Sequence, residues 1–103
     1  MRVITELKER QGGTVVITVV GEMDIENAPR VLSAVIEATQ AAPEVVVLDL
    51  AGVDYIDSSG LSEVLRAHRF TGSSGCRLSV RAATAQVRRL FATTGVDRVV
   101  ALD

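Results

Sequence analysis

The sequence predicts an α/β domain with a small, mixed and mostly parallel sheet, an N-terminal antiparallel hairpin and about three helices packed on the sheet. Short apolar runs rich in β-branched residues alternate along the chain with segments whose apolar residues recur at helical spacing. Gly12 and Gly13 separate the first two β-prone runs, as in a tight hairpin. The predicted order is β-β-α-β-α-β-α-β, within one domain spanning residues 1–103.

The first two strands are predicted over residues 3–10 and 14–20. Residues 3–10 alternate between apolar and polar side chains, which is typical of a half-exposed strand. Residues 14–20 are almost entirely β-branched, which indicates a strand buried on both faces.

The predicted helices have recognisable starts and ends. Asn27 can cap the first helix, with Pro29 in its first turn. A second helix runs from Leu61 into the "TGSSG" loop. Thr84 can cap the third helix, and Gly95 ends it.

The remaining strands are predicted over residues 44–50, 76–80 and 98–102. Helices between these strands imply crossover connections, so the third, fourth and fifth strands should be parallel. Three helices are few for covering both faces of a sheet, so a single helix layer is expected.

The composition argues against several classes of function. A formal net charge of -2 and an aromatic content of 3% do not favour a nucleic-acid partner. No apolar stretch approaches the roughly 20 residues of a membrane span, so no membrane insertion and a cytoplasmic location are expected. One cysteine excludes a multi-cysteine zinc site, and neither a metal nor a cofactor is predicted.

The sequence "DSSG" at residues 57–60 lies between an apolar run and a helical pattern. Binding sites in open α/β sheets gather at the carboxyl ends of strands, where this stretch is expected to lie. Asp57 or Ser58 can cap the following helix, because a helix N-terminus has unpaired N–H donors.

A serine nucleophile needs a base within hydrogen-bonding reach. His68 is the only histidine, and its position ten residues along the same helix sets it roughly 15 Å from Ser58. Lys8, the only lysine, is in the first predicted strand. The residues therefore assemble no catalytic dyad, and the chain is not predicted to be an enzyme.

The sequence also lacks the residues needed for a nucleotide-binding loop or for a phosphoacceptor aspartate. Neither G-x-x-x-x-G-K-[ST] nor G-x-G-x-x-G occurs, so a nucleotide loop is not indicated. A phosphoacceptor aspartate, at Asp49 or Asp57, would need an acidic metal cluster and a lysine late in the chain, where none is found.

A serine that receives phosphate from another protein fits the stretch better. Acidic residues are close in sequence to Ser58, namely Asp54, Asp57 and Glu63, whereas Arg66 is about two turns along the helix. Adding about −1.5 to −2 charges there should cause repulsion rather than form an internal clamp. Such a group would break a protein contact.

Three stretches in order, "GEMD" at 21–24, "DSSGL" at 57–61 and "AQVRRLFATTGVDRVV" at 85–100, resemble the STAS domain of anti-sigma-factor antagonists. The resemblance covers the whole chain and implies a STAS-like fold. It also implies a partner-switching regulator whose unphosphorylated form binds an anti-sigma factor and frees a sigma factor. The anti-sigma factor would be a serine kinase of the histidine-kinase-like ATPase type, and a metal-dependent serine/threonine phosphatase would reverse the modification.

The resemblance also implies the site. Ser58 would be the phosphorylated residue, and "GEMD" would form a turn beside it. The expected partner-binding residues are Glu22, Asp24, Asp57, Ser58, Ser59, Gly60, Leu61, Ser62 and Glu63. The alternative is a STAS ligand-binding or scaffolding subunit of a lipid-transport or stress-sensing complex. The sequence leaves the oligomeric state open.

Overall fold

The computed structural model describes the backbone of residues 5–103 and the side chains of residue 10 and residues 12–103. A five-stranded sheet has the order β1-β2-β3-β4-β5, in which β1 is antiparallel to β2 and all other neighbours are parallel. The predicted α/β class and element order are confirmed. The elements are β1 (Thr5–Gln11), β2 (Thr14–Met23), α1 (Ala28–Thr39), β3 (Val45–Ile56), α2 (Ser58–Ser73), β4 (Arg77–Arg81), α3 (Ala85–Thr94), a 3-10 turn (Val96–Arg98) and β5 (Ala101–Leu102).

The N-terminal hairpin is confirmed. Gln11 pairs with Thr14, so Gly12 and Gly13 form the whole turn. Gly12 has a φ of 60°, a left-handed conformation that glycine adopts without a steric penalty. The first two residues of the predicted strand, Val3 and Ile4, lie outside the described residues, and so do the side chains that would test its half-exposed pattern.

Strands β2 and β3 are longer than predicted. The two strands stay paired beyond the predicted ends, from Gly21 opposite Val53 to Met23 opposite Ile56. The register shifts twice along the ladder, between Thr18 and Val20 and between Gly21 and Glu22. The expectation that "GEMD" forms a turn is therefore wrong for its first three residues, which belong to β2. The turn begins at Asp24, because the ladder holds the preceding backbone in the sheet.

The core covers one face of the sheet along the first half of β3. Val46, Leu48 and Leu50 are fully buried, whereas Val45 and Val47 between them are partly exposed. Helices α1 and α2 pack against each other, and α3 packs against β3. This alternation agrees with a single helix layer over this part of the sheet.

The expectation that β2 is buried on both faces holds only at its start. Val15, Val16 and Ile17 are buried, but Val20 is 41% exposed. The composition of the strand does not predict the exposure of Val20, because β-branched residues favour strands whether or not both faces are covered.

The helix starts differ in how far they follow the prediction. Asn27 precedes α1 but its side chain makes no capping hydrogen bond; instead Asp24 Oδ1 accepts from the backbone N–H groups of Glu26 and Asn27, at 3.1 and 3.0 Å. Thr84 caps α3 as predicted, with its hydroxyl 3.5 Å from the N of Val87. Gly95 ends that helix in the left-handed conformation, with a φ of 81°.

The last strand is shorter than predicted. Residues 98–102 were expected to be extended, but β5 comprises only Ala101–Leu102. The N–H groups of Val99 and Val100 both donate to the carbonyl of Val96, at 3.0 and 2.9 Å. These amides are engaged in a turn, so they do not join the sheet ladder.

Candidate functional site

Ser58 is the first residue of α2 and follows the carboxyl end of β3 almost directly. Between them, Asp57 has an extended backbone and is the N-cap. Its Oδ1 accepts from the N–H groups of Ser59 and Gly60, at 2.9 and 3.1 Å. The capping expected of Asp57 is confirmed, and the side chain of Ser58 is left exposed to solvent.

Gly60 fixes the position of this helix start. A Cβ built on Gly60 would overlap the carbonyl oxygen of Met23 and lie 2.8 Å from Cγ1 of Ile56. Real side chains do not tolerate such contacts, so only glycine lets α2 approach the end of β2 this closely. The backbone of Asp57 adds a hydrogen bond from its N–H to the carbonyl of Met23, at 3.3 Å.

The structure brings the 21–24 segment next to "DSSG". Glu22 pairs with Tyr55 across the β2–β3 ladder, which sets it at the same edge of the sheet as Asp57. Asp24 is partly buried. One of its carboxylate oxygens, Oδ1, is already engaged, because it accepts a hydrogen bond from the backbone N–H of Asn27 in the turn before α1. Its charge still lies at this edge of the sheet.

The other predicted site residues lie on different sides of α2. Ser62 is exposed and Ser59 is partly exposed. Leu61 and Glu63 are each only 8% exposed. Leu61 belongs to the hydrophobic core, so it anchors α2 to the core and does not contribute to the solvent-exposed surface of the site.

A groove of about 290 Å³ lies between the start of α1 and one face of α2. Glu63 and Arg66 line its α2 side, and Ile25 and Pro29 line its α1 side. Sequence reasoning did not identify Ile25 or Arg66 as belonging to one groove with Glu63. The helical spacing of residues 59, 62, 63 and 66 indicates that they share one face of α2. It does not indicate that this face lies opposite Ile25 and Pro29.

Asp49 and His68 do not join the site. The carboxylate of Asp49 accepts from Arg81 Nε at 3.0 Å and from the N–H of Ala51, also at 3.0 Å. His68 lies in the C-terminal half of α2 and is partly buried. Among the described side chains, no group of three His, Cys, Asp or Glu residues could hold a metal ion.

A second cavity, of about 230 Å³, lies between Ile56 and the face of α3 that carries Gln86, Arg89 and Thr93. Its lining includes none of the predicted site residues. No helix within residues 5–103 combines the length and the apolar character that crossing a membrane requires.

The fold and the site together match a known family. The family model described as "Mlab, STAS domain" matches residues 7–102. The chain therefore belongs to the STAS family, as the three sequence motifs predicted.

Similar proteins indicate which group of STAS domains this chain belongs to. An anti-sigma-B factor antagonist from Listeria monocytogenes is 32% identical over 101 residues, which cover 97% of this chain and 88% of the relative. The crystal structure of an anti-sigma factor antagonist from Mycobacterium paratuberculosis is 30% identical, with a TM-score of 0.85 over 96% of this chain and 84% of that one. The phosphorylated form of the Bacillus cell fate determinant SpoIIAA, at 22% identity, shares the fold with a TM-score of 0.71 over 96% of this chain and 91% of that one. Within the STAS family, the chain groups with the anti-sigma factor antagonists.

Proposed function

We propose that this protein is a phosphorylation-controlled antagonist that binds an anti-sigma factor through the surface around Ser58 and thereby frees a sigma factor. The partner is proposed to be a serine kinase of the histidine-kinase-like ATPase type, which ends the interaction by phosphorylating Ser58. The observation that carries the proposal is the exposed hydroxyl of Ser58 at the first position of α2. A kinase can reach this hydroxyl without unfolding any element.

The hydrogen bonds around Ser58 favour a phosphate that disrupts the contact with the partner. The cap already uses the N–H groups of Ser59 and Gly60, and it adds the negative charge of Asp57. Phosphate groups bind well at helix N-termini when those donors are available. Here a phosphate on Ser58 competes with the carboxylate of Asp57, so it remains directed to solvent or to a bound partner.

The proposed partner surface consists of the helix start and the adjoining edge of the sheet. It comprises Glu22, Asp24, Asp57, Ser58, Ser59, Gly60, Leu61, Ser62 and Glu63, with Leu61 acting through its packing beneath the surface. A charge left desolvated and unpaired in a protein interface costs about 2–5 kcal/mol. Phosphorylation of Ser58 is therefore expected to weaken binding by roughly 30-fold or more.

The chain is the substrate in this scheme and not the enzyme. A metal-dependent serine/threonine phosphatase would remove the phosphate and restore binding. The exposure of Ser58 supports access by this second enzyme as well. A protein of the same fold, the Bacillus determinant SpoIIAA, has a phosphorylated form, which supports the ability of the fold to carry such a group.

The test combines the purified protein with candidate kinase-type anti-sigma factors and ATP, and mass spectrometry locates the phosphate. We expect modification of Ser58 in the wild type and none in Ser58→Ala. Ser58→Asp should weaken the complex by roughly 30-fold or more in isothermal titration calorimetry. Ser33→Asp, on the exposed face of α1, is the control for one added charge and should leave the affinity unchanged.

The outcome also separates the alternative function. If no kinase-type partner modifies Ser58 and Ser58→Asp binds every partner as the wild type does, the switch is refuted. A STAS domain that binds a ligand or serves as a scaffold would give that result. Modification at Ser59 alone would also contradict the assignment of Ser58.

A further inference from the structure

Glu63 has a buried carboxylate oxygen with no hydrogen-bond partner among the described residues. The residue is only 8% exposed, and acidic residues are seldom buried to this extent unless they are paired. Its Oε1 accepts from Arg66 Nη1 at 3.2 Å, but its Oε2 is buried and has no hydrogen bond within the described part of the chain. Most buried polar atoms in native proteins are hydrogen-bonded, so a carboxylate oxygen with no donor among the described residues is unusual.

The surroundings of Glu63 form a groove that a long side chain fits. The groove has a volume of about 290 Å³ and runs between Ile25 and Pro29 on one side and α2 on the other. Ile25 is 75% exposed, so it offers apolar surface along one side of the groove. Ser59 and Ser62, which also line the groove, contribute hydroxyl groups that can accept further hydrogen bonds.

We propose that this groove receives a basic side chain, arginine or lysine, from the anti-sigma factor. An N–H group of that side chain donates to the carboxylate of Glu63, and its aliphatic stem packs against Ile25 and Pro29. The inference rests on the proposed function, and it names the chemistry of the contact beside Ser58.

Charge and shape select this occupant over others. A carboxylate oxygen accepts hydrogen bonds most strongly from a charged donor, and a guanidinium or ammonium group supplies one. Lysine and arginine also carry an apolar stem that can cover exposed hydrophobic surface such as Ile25. Arg66 does not fill the role itself, because it reaches only Oε1 and its side chain stays 63% exposed.

The first experiment uses small cations and the protein alone. Ethylguanidinium and n-butylammonium represent arginine and lysine, and tetramethylammonium is a cation without N–H donors. In ¹H–¹⁵N NMR titrations, we expect at least one of the first two to shift the amide signals of Ile25, Ser62 and Glu63. Tetramethylammonium should shift them little, and the effect should disappear in Glu63→Gln and Glu63→Met. Equal shifts with all three cations, or unchanged shifts in both variants, would overturn the proposal.

The second experiment uses the anti-sigma factor. Glu63→Gln should weaken the complex by about tenfold, which corresponds to about 1.4 kcal/mol. Glu44→Gln is the control for the lost charge, because Glu44 is exposed at the opposite, amino end of the parallel strands, and its affinity should stay within twofold of wild type. Replacing the partner's basic residues one at a time by alanine should identify one whose loss weakens wild type but not Glu63→Gln. Strict additivity for every basic residue would refute the contact.

The two proposals fail in different ways. If the wild type binds no anti-sigma factor, the proposed function fails, and the cation titrations still decide whether the groove recognises a basic group. If the anti-sigma factor binds and responds to Ser58→Asp but ignores Glu63→Gln, the function stands and the groove inference is wrong.

Discussion

The starts of α1 and α2 have the same kind of capping hydrogen bonds but different roles in the candidate site. In each, one aspartate Oδ1 accepts two consecutive backbone N–H groups: those of Glu26 and Asn27 before α1, and those of Ser59 and Gly60 in α2. Asp24 closes a turn four residues before its helix, whereas Asp57 is the cap residue itself. Both aspartates belong to the proposed partner surface, so capping alone does not distinguish the two helix starts.

What differs is the packing around each cap. Behind Asp57, Gly60 lies against the backbone of Met23 and leaves no space for a Cβ, so the exposed Ser58 has a fixed position. Behind Asp24, the chain continues through Ile25, which is 75% exposed, and Pro29. A tightly packed helix start holds a hydroxyl in one place, whereas the looser start of α1 contributes one wall of a groove.

The largest expected effect comes from disturbing that tight packing. Gly60→Ala should lower the free energy of unfolding by about 2–3 kcal/mol, because the added methyl group forces the backbones of α2 and β2 apart. Urea unfolding followed by circular dichroism measures the change. Gly72→Ala is a matched control in the same helix, since nothing lies within 4 Å of its added Cβ. It should be neutral or raise stability by up to about 1 kcal/mol. Equal losses in both variants would argue against the contact with Met23.

The second prediction tests the cap of α2. Asp57→Ala removes the acceptor of two N–H groups and should lower the free energy of unfolding by about 1–2 kcal/mol. Asp57→Asn keeps an acceptor oxygen and should cost no more than about half of that. Thermal and urea unfolding of both variants distinguish the acceptor from the charge. If Asp57→Asn is as destabilising as Asp57→Ala, the negative charge at the helix N-terminus is the main contribution.

The third prediction concerns the groove between the two helix starts. Glu63→Met removes a buried oxygen that has no partner among the described residues, and such an oxygen costs about 1–3 kcal/mol in typical proteins. It also gives up a half-exposed ion pair worth about 0.2–1 kcal/mol. The free energy of unfolding should therefore rise by about 1 kcal/mol. Chemical denaturation measures it. A clear loss of stability would mean that Glu63 supports the fold through contacts beyond its pair with Arg66.

The smallest expected change in stability tests the cap before α1. Asp24→Asn keeps the Oδ1 acceptor for Glu26 and Asn27, so stability should change by less than about 0.5 kcal/mol. The variant still removes the charge proposed to face the partner. Calorimetry with the anti-sigma factor should then show a weaker complex, with Asp24→Ala weaker and less stable as well. An unchanged affinity in Asp24→Asn would restrict this residue to its structural role.

Local signals were sufficient where an element depends on its own residues. Gly12-Gly13 predicted the hairpin, Asp57 and Thr84 were recognised as possible caps, and Gly95 was recognised as a helix end. Each of these involves hydrogen bonds or dihedral angles within a few residues of the signal. The motif at 57–60 also indicated the edge of the sheet at which the candidate site lies.

The tertiary structure decided what depends on residues far apart in sequence. Pairing with β3 keeps Gly21–Met23 in β2, although the segment resembled a turn, and the turn at Val96 shortens β5. The sequence by itself determined the order of elements and the exposed Ser58 at a helix start, because caps and turns are local. Only the packing of α2 against Met23 and beside Ile25 decided that Gly60 must be glycine and that Glu63 lines a groove, since the contacting atoms come from separate elements.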